Sequence, residues 1–144
     1  MQVVFEKVES KEQEIALIKA VEKTSDIQSA IDLLENGINS ISVTKDGITY
    51  MCKINAVYYI ESVDKRTYIY TKNDCFETKS RLYELEEKLG TYFARCSKAM
   101  IVNLKKIRNV RSELGGRLNA EMLNGEKIVI SRSYVKDIKR RMDL

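Results

Sequence analysis

Hydrophobic and polar positions divide the chain at about residue 40. Before it, the apolar spacing is mostly helical. VVFEKV (3–8) reads as a short strand. Ser10 and Gln13 then stand at capping-box spacing, which predicts a helix start. Ile15, Ile18 and Val21, with Leu17 beside Ile18, supply its apolar face. Thr24–Ser25–Asp26 interrupts that face. Ile27, Ala30, Ile31 and Leu34 then form the stripe of a second helix, stopped by Asn36–Gly37. The two stretches could equally be one bent helix, and both are too short to stand without a packing partner.

From Ser40 the period becomes two. Ile41 and Val43 lead to an Asp46–Gly47 turn, and Ile48, Tyr50 and Cys52 return from it. VYYIE (57–61) and TYIYT (67–71) form the next strand pair, with 62–66 as the loop. Residues 75–78 extend the sheet. Leu82, Leu85 and Leu89 share one side of a helix over about 79–89, and Gly90 ends it. Strand character returns at 99–102 and 107–110. Asn124–Gly125 is the strongest two-residue hairpin signal in the chain. Val135, Ile138 and Met142 line a closing helix over about 133–142. Short strands with frequent turns favour a mostly β fold with helices over a parallel α/β sheet.

Composition narrows the class. A chain of 144 residues with 44% apolar and 32% charged side chains suits a globular domain with a small accessory element. Residues 1–44 form the N-terminal strand and helical extension, a candidate dimerisation or packing element. Residues 45–144 form the main domain. No apolar run approaches the length of a membrane span, so no membrane insertion is expected. The N-terminus lacks the pattern of a signal peptide, and cytoplasmic residence is the simple expectation. The formal charge of +4 conceals an asymmetry: −4 on 1–44 and +8 on 45–144. A basic excess on one part is the footprint of a phosphate-binding protein, although an ordinary solubilising surface also produces it.

Enzymatic readings fail first. The chain has no histidine, so imidazole catalysis and Ser-His-Asp or Cys-His sites are excluded. No glycine-rich phosphate loop precedes a helix. Cys52, Cys75 and Cys96 are widely spaced and suit neither a disulfide scaffold nor a zinc site, so no cofactor or metal is expected. Cys96 beside Arg95 would be reactive if the cation lowered its pKa, and inert if buried. Glu84, Glu86 and Glu87 read as a solvated helix face. The basic loops say more. Lys65–Arg66, the Arg95/Ser97/Lys98 cluster and Arg132–Ser133 all fall at strand or helix ends. Long cations on turns can reach base edges in a major groove, or phosphates.

Four segments carry a family resemblance: VYYIES (57–62), FETKSRLYELEEKL (76–89), FARCSKAMIVNLKKI (93–107) and NGEKIVISRSYVKDIKRRM (124–142). In this order they resemble the LytTR family of bacterial DNA-binding domains. The resemblance implies an elongated β-β-β sandwich whose loops enter successive major grooves of repeated promoter sites, making a transcription regulator. It places base-reading candidates at Lys65, Arg66, Thr67, Ser97, Lys98 and Arg132. Phosphate or supporting candidates are Arg95, Asn103, Lys105, Lys106, Arg108, Arg111 and Ser133. Lys65–Arg66, Ser97–Lys98 and Arg132 are expected along one basic face, with Lys105, Lys106, Arg108 and Arg111 nearby and the acidic unit 1–44 elsewhere.

The chain departs from the family pattern in two places. Many members carry His-Arg or His-Asn where Ser97–Lys98 stands. Residues 1–44 are also too short for a receiver domain, so the chain resembles a stand-alone member. Such members imply a link to a small membrane protein, and repeated targets imply a homodimer. The alternative is a protein–protein or autoinhibitory module that reads no DNA directly.

Overall fold

The computed structural model describes residues 1–36 and 40–144. Among the described residues, ten strands and three α-helices follow in order. They are α1 (Ser25–Asn36), β1 (Ser40–Lys45), β2 (Ile48–Lys53), β3 (Tyr59–Val63), β4 (Arg66–Tyr70) and β5 (Cys75–Thr78). Then come α2 (Leu82–Lys88), β6 (Phe93–Ser97), β7 (Met100–Asn103), β8 (Ile107–Ser112), β9 (Leu118–Met122), β10 (Lys127–Ile130) and α3 (Arg132–Arg141). The fold is mostly β, and every strand pairing is antiparallel. A seven-stranded sheet has the order β2-β1-β5-β4-β3-β7-β6, and a three-stranded sheet has the order β10-β9-β8.

Alternation along β6 and β7 creates two cores. Phe93 and Ile101 point to one side, where Ile60, Ile69, Val43 and the leucines of α2 meet them. Ala94, Cys96 and Val102 point to the other, against Leu118, Ala120, Met122, Ile130 and Ile138. Successive strand residues face opposite ways, so a hairpin between two layers must be apolar on both faces. FARCS and MIVN have that composition. α3 packs on β6 and, with the small sheet, closes the second core.

Asn103 ties two neighbouring segments of the large sheet together. It is 2% exposed, a rare position for an amide. Its Nδ2 donates to the Val57 carbonyl at 2.8 Å, and its Oδ1 accepts from the Lys105 amide at 3.0 Å. The chain entering β3 is thereby tied to the chain leaving β7.

The N-terminal expectations need correction. Residues 3–8 form no strand, because no neighbouring strand completes a ladder; Phe5 is 90% exposed. The helix expected from Ser10 is only a 3₁₀ turn, Lys11–Gln13, in which Gln13 Oε1 accepts from the Ser10 amide at 3.2 Å. Ile15, Leu17 and Val21 stay exposed, so nothing offsets the cost of helix nucleation. The second helix forms as α1, and the glycine stop expected at 37 lies outside the described residues. α2 begins at Leu82, later than 79, because the Thr78 hydroxyl takes the Ser80 amide and Arg81 occupies the N-cap. The loop expected over 62–66 contracts to Asp64–Lys65.

Cys96 lies in the second core, fully buried, and burial pushes its thiol up to about 12. Desolvation outweighs the Arg95 charge, so of the two readings the buried, inert thiol is the one that fits. The sign follows from linkage: the unfolded thiol ionises near its ordinary value, while the folded one stays neutral. Stability is complete below about pH 9 and falls as pH climbs toward the folded value. Thermal melts across this window should show that decline, and Cys96→Ala should flatten it while lowering the whole curve. An equally steep decline without the thiol would contradict the assignment. Asn103→Ala should cost about 1–3 kcal/mol in denaturant titrations by stranding the buried Val57 carbonyl. A loss under about 0.5 kcal/mol would mean that the amide pins nothing.

Candidate nucleic-acid interface

Three turns far apart in sequence meet beside the β6–β7 hairpin. The first joins β3 to β4 through Asp64 and Lys65, with φ of 50° and 67°. Val63 pairs with Arg66 across it. Two positive φ values make this a type I′ turn, whose twist matches the strands. Residue type offered little warning, since the second position of such turns normally carries glycine. The second turn joins β6 to β7 through Lys98 and Ala99. Ser97 Oγ accepts from the Ala99 amide at 3.2 Å, which tightens it. The third is the entry to α3, where Ser131 holds the N-cap position and Arg132 is the first helical residue.

Two backbone hydrogen bonds join these turns. The Ser62 amide donates to the Ala99 carbonyl at 2.8 Å, tying the first to the second. The Ser131 amide donates to the Cys96 carbonyl at 2.8 Å, tying the third to the second. Lys65 and Lys98 line one hollow of about 310 Å³ with Thr67, Arg81, Tyr83 and Arg95. Arg132 does not line it. Its Cγ and Cδ lie over Gly116, 3.1 Å from where a Cβ would stand. Lys65, Arg66, Lys98, Arg132 and Ser133 are exposed. Thr67 is 6% exposed and lies in the floor of the hollow rather than on its rim.

The supporting candidates separate into several places. Arg95 is turned inward, its side chain 19% exposed. It donates to the Lys98 carbonyl at 2.8 Å and to Glu86 Oε2 at 2.9 Å. Asn103 is spent within the core. Lys105 and Lys106 lie at the far end of β7 from the Lys98 turn, over the rings of Tyr92 (4.0 Å) and Tyr58 (5.3 Å). There they line a cleft with Lys53 and with Ser29 and Asp32 of α1. The acidic helix thus meets these lysines and lines none of the hollow between the turns. Arg108 is engaged by Glu121 and the Leu123 carbonyl. Arg111 is exposed on β8, whose end pairs with the start of β9 beside the Gly116 loop.

Sequence reasoning missed Arg81, Tyr83, Lys79 and Glu86. Lys79 and Arg81 line a second hollow beside the first with Lys65, Arg66 and Glu77. Only the lysine and arginine before the α2 leucine stripe could have signalled this. Among the described residues, no cluster of three or more His, Cys, Asp or Glu is arranged to hold a metal, and no helix is long and apolar enough to cross a membrane.

Comparison with known proteins places this arrangement in context. Residues 47–143 match the model of the LytTr DNA-binding domain. The transcriptional regulatory protein YpdB of Escherichia coli (strain K12) is 31% identical over 126 residues, covering 85% of this chain and 50% of that protein. The chain therefore spans about half the length of that relative. An uncharacterised HTH-type transcriptional regulator of Staphylococcus aureus (strain NCTC 8325) is 29% identical over 133 residues, covering 88% of each. A solved LytTr DNA-binding domain from Bacillus cereus superposes with a TM-score of 0.71 at 25% identity, covering 75% of this chain and all of that one. The HTH label of the staphylococcal relative has no counterpart here among the described residues, because five strands separate α2 from α3.

Lys65 supplies a test of the turn. A side chain at positive φ costs roughly 1–2 kcal/mol, against about 0.5–1 kcal/mol for the extra chain entropy of glycine. Lys65→Gly should therefore raise stability by roughly 0.5–1 kcal/mol in denaturant titration, while removing a cation from the rim. A destabilised variant would show that Lys65 is not held in the left-handed region.

Proposed function

The chain belongs to the LytTR family of DNA-binding domains, and from that premise we propose that it regulates transcription by reading duplex DNA with its joined turns. The observation that carries the reading is the pair of backbone hydrogen bonds, Ser62 to Ala99 and Ser131 to Cys96. They hold Lys65, Lys98 and Arg132 beside one hairpin, although the three lie far apart along the chain.

Lys98 and Arg132 stand on tight backbone turns and are exposed, as base readers in a major groove must be. Lys65 and Arg66 flank them, with Thr67 below and the Ser97 hydroxyl shaping the turn. Lys79, Arg81, Arg111 and Ser133 are placed to meet phosphates, which position the duplex without reading it. Arg95 and Asn103 are supports, since their polar atoms are already engaged within the protein. Lys105 and Lys106 would meet DNA only where a duplex extends past the far end of β7. A bacterial, cytoplasmic setting with no enzymatic role suits this reading.

Residues 1–44 are proposed as an accessory unit. Val3, Phe5, Ile15, Leu17 and Val21 are exposed, more apolar surface than a short segment ordinarily leaves uncovered. A second copy of the chain would cover it and would match the repeated sites that the family reads. A functional link to a membrane protein rests on the family alone.

Binding to a duplex selected by the chain from a random pool should weaken with salt, log K falling by roughly 0.9 per phosphate contact per unit of log salt. Lys98→Ala and Arg132→Ala should each lose about 1–3 kcal/mol on the selected duplex and much less on a scrambled one. Equal losses on both would make the two residues phosphate contacts. Failure to select any duplex at low salt would overturn the reading. Sedimentation of the whole chain beside a 25–144 form should show a dimer only for the former; two monomers would remove the accessory role in pairing.

A further inference from the structure

The carboxylate of Glu86 belongs to α2, on a face that charge alone assigns to solvent. The structure gives it a specific partner. Glu86 Oε2 takes Arg95 Nη2 at 2.9 Å, and Arg95 Nη1 reaches on to the Lys98 carbonyl at 2.8 Å. Arg95 Nε is buried without a partner, so the guanidinium is oriented by these two bonds alone. The side chain is mostly buried against α2, whose Leu82 and Leu85, with Leu89 just beyond the helix, are fixed in the first core.

We infer that Glu86 and Arg95 are positioning residues for DNA reading: a brace from α2 that sets the backbone of the Lys98 turn. The inference rests on the reading of Lys98 as a DNA contact. The planar guanidinium suits the task, because it presents parallel donors in a rigid fork. A carboxylate on one side aims the fork, and a backbone carbonyl on the other receives it. The turn is already joined to β3 through the Ala99 carbonyl and to itself through the Ser97 hydroxyl. Without the brace these two bonds remain, so the turn should persist but wander. Arg95 then adds little to phosphate attraction, since Glu86 neutralises its charge and its donors point into the protein.

The pair sits at the one irregularity of the hairpin. The β6–β7 register shifts between Arg95 and Ser97. Such a shift re-aims the side chains beyond it, and bulges commonly serve that purpose next to functional sites. Here the residue before the shift points toward α2, and the turn beyond it carries Lys98 outward.

The test uses the full chain with Glu86→Ala, Glu86→Gln, Lys98→Ala and the Glu86→Ala/Lys98→Ala double variant. In the free protein, Glu86→Ala should speed hydrogen exchange at the Ala99 and Ser62 amides severalfold and leave the thermal midpoint nearly unchanged. Glu86→Gln should lie between, since an amide oxygen still accepts but carries no charge. On the selected duplex, Glu86→Ala should lose about tenfold relative to a scrambled duplex, with the salt slope unchanged, as expected for a coupled neighbour of Lys98. Adding Lys98→Ala should then cost far less than it does in the native background. Unchanged exchange at Ala99 and Ser62 would overturn the brace whatever the DNA result. Full preference in Glu86→Ala beside lost preference in Lys98→Ala would overturn its role in reading while leaving Lys98 as a reader. Altered exchange with no effect of Lys98→Ala on either duplex would instead overturn the reading of Lys98, and the inference with it.

Discussion

The fold depends on one hairpin that is buried on both faces. β6 and β7 send Phe93 and Ile101 into one core and Ala94, Cys96 and Val102 into the other. A slip of one residue would exchange every side chain between two differently shaped interiors. The register is therefore strongly specified, and with it the place where the hairpin must turn. Lys98 stands where it does because the residues behind it have no second way to pack.

The other two turns inherit their position from that hairpin. β3 lies against β7, so its turn emerges beside Ala99 and bonds to it. The small sheet and α3 close the second core, so the α3 entry emerges beside Cys96. Hydrophobic layering thus sets the direction of the basic loops without any interaction among the loops' own side chains. The proposed reading surface would thus be built from loops that the packing behind them aims. The first turn is set by positive φ at Asp64 and Lys65, and the Lys98 turn by the Ser97 hydroxyl and the Arg95 guanidinium that bond to its backbone.

Legibility in the sequence followed the range of the forces involved. The strand pairs around Asp46–Gly47 and Asn124–Gly125 were legible because turn chemistry is local, although the second loop closes one residue longer, with the Met122 amide bonded to the Glu126 carbonyl. The leucine stripe of α2 was legible from its period. The I′ turn at Asp64–Lys65 was not, because Asp tolerates a positive φ but Lys stands where glycine would signal one. The early helix was over-read: an apolar stripe reports amphipathicity and says nothing of whether a surface exists to receive it. At the candidate site, the three basic turns were visible as cations at element ends. Their connection through Ser62, Ala99, Cys96 and Ser131 was not, since backbone bonds between distant segments leave no residue-type signature. Glu86 was misjudged for the same reason. Its partner lies nine positions away, beyond helical reach, so spacing could not reveal the pair.

Three separate turns that act as one DNA-reading surface must respond to a duplex together. Amide hydrogen exchange on the full chain, with and without a duplex it has selected from a random pool, tests this directly. Residues 64–67, 97–99 and 131–133 should gain protection together at a single duplex concentration, while the α1 amides change little. Protection confined to one of the three turns, or centred on α1 and the Lys105–Lys106 cleft, would contradict it.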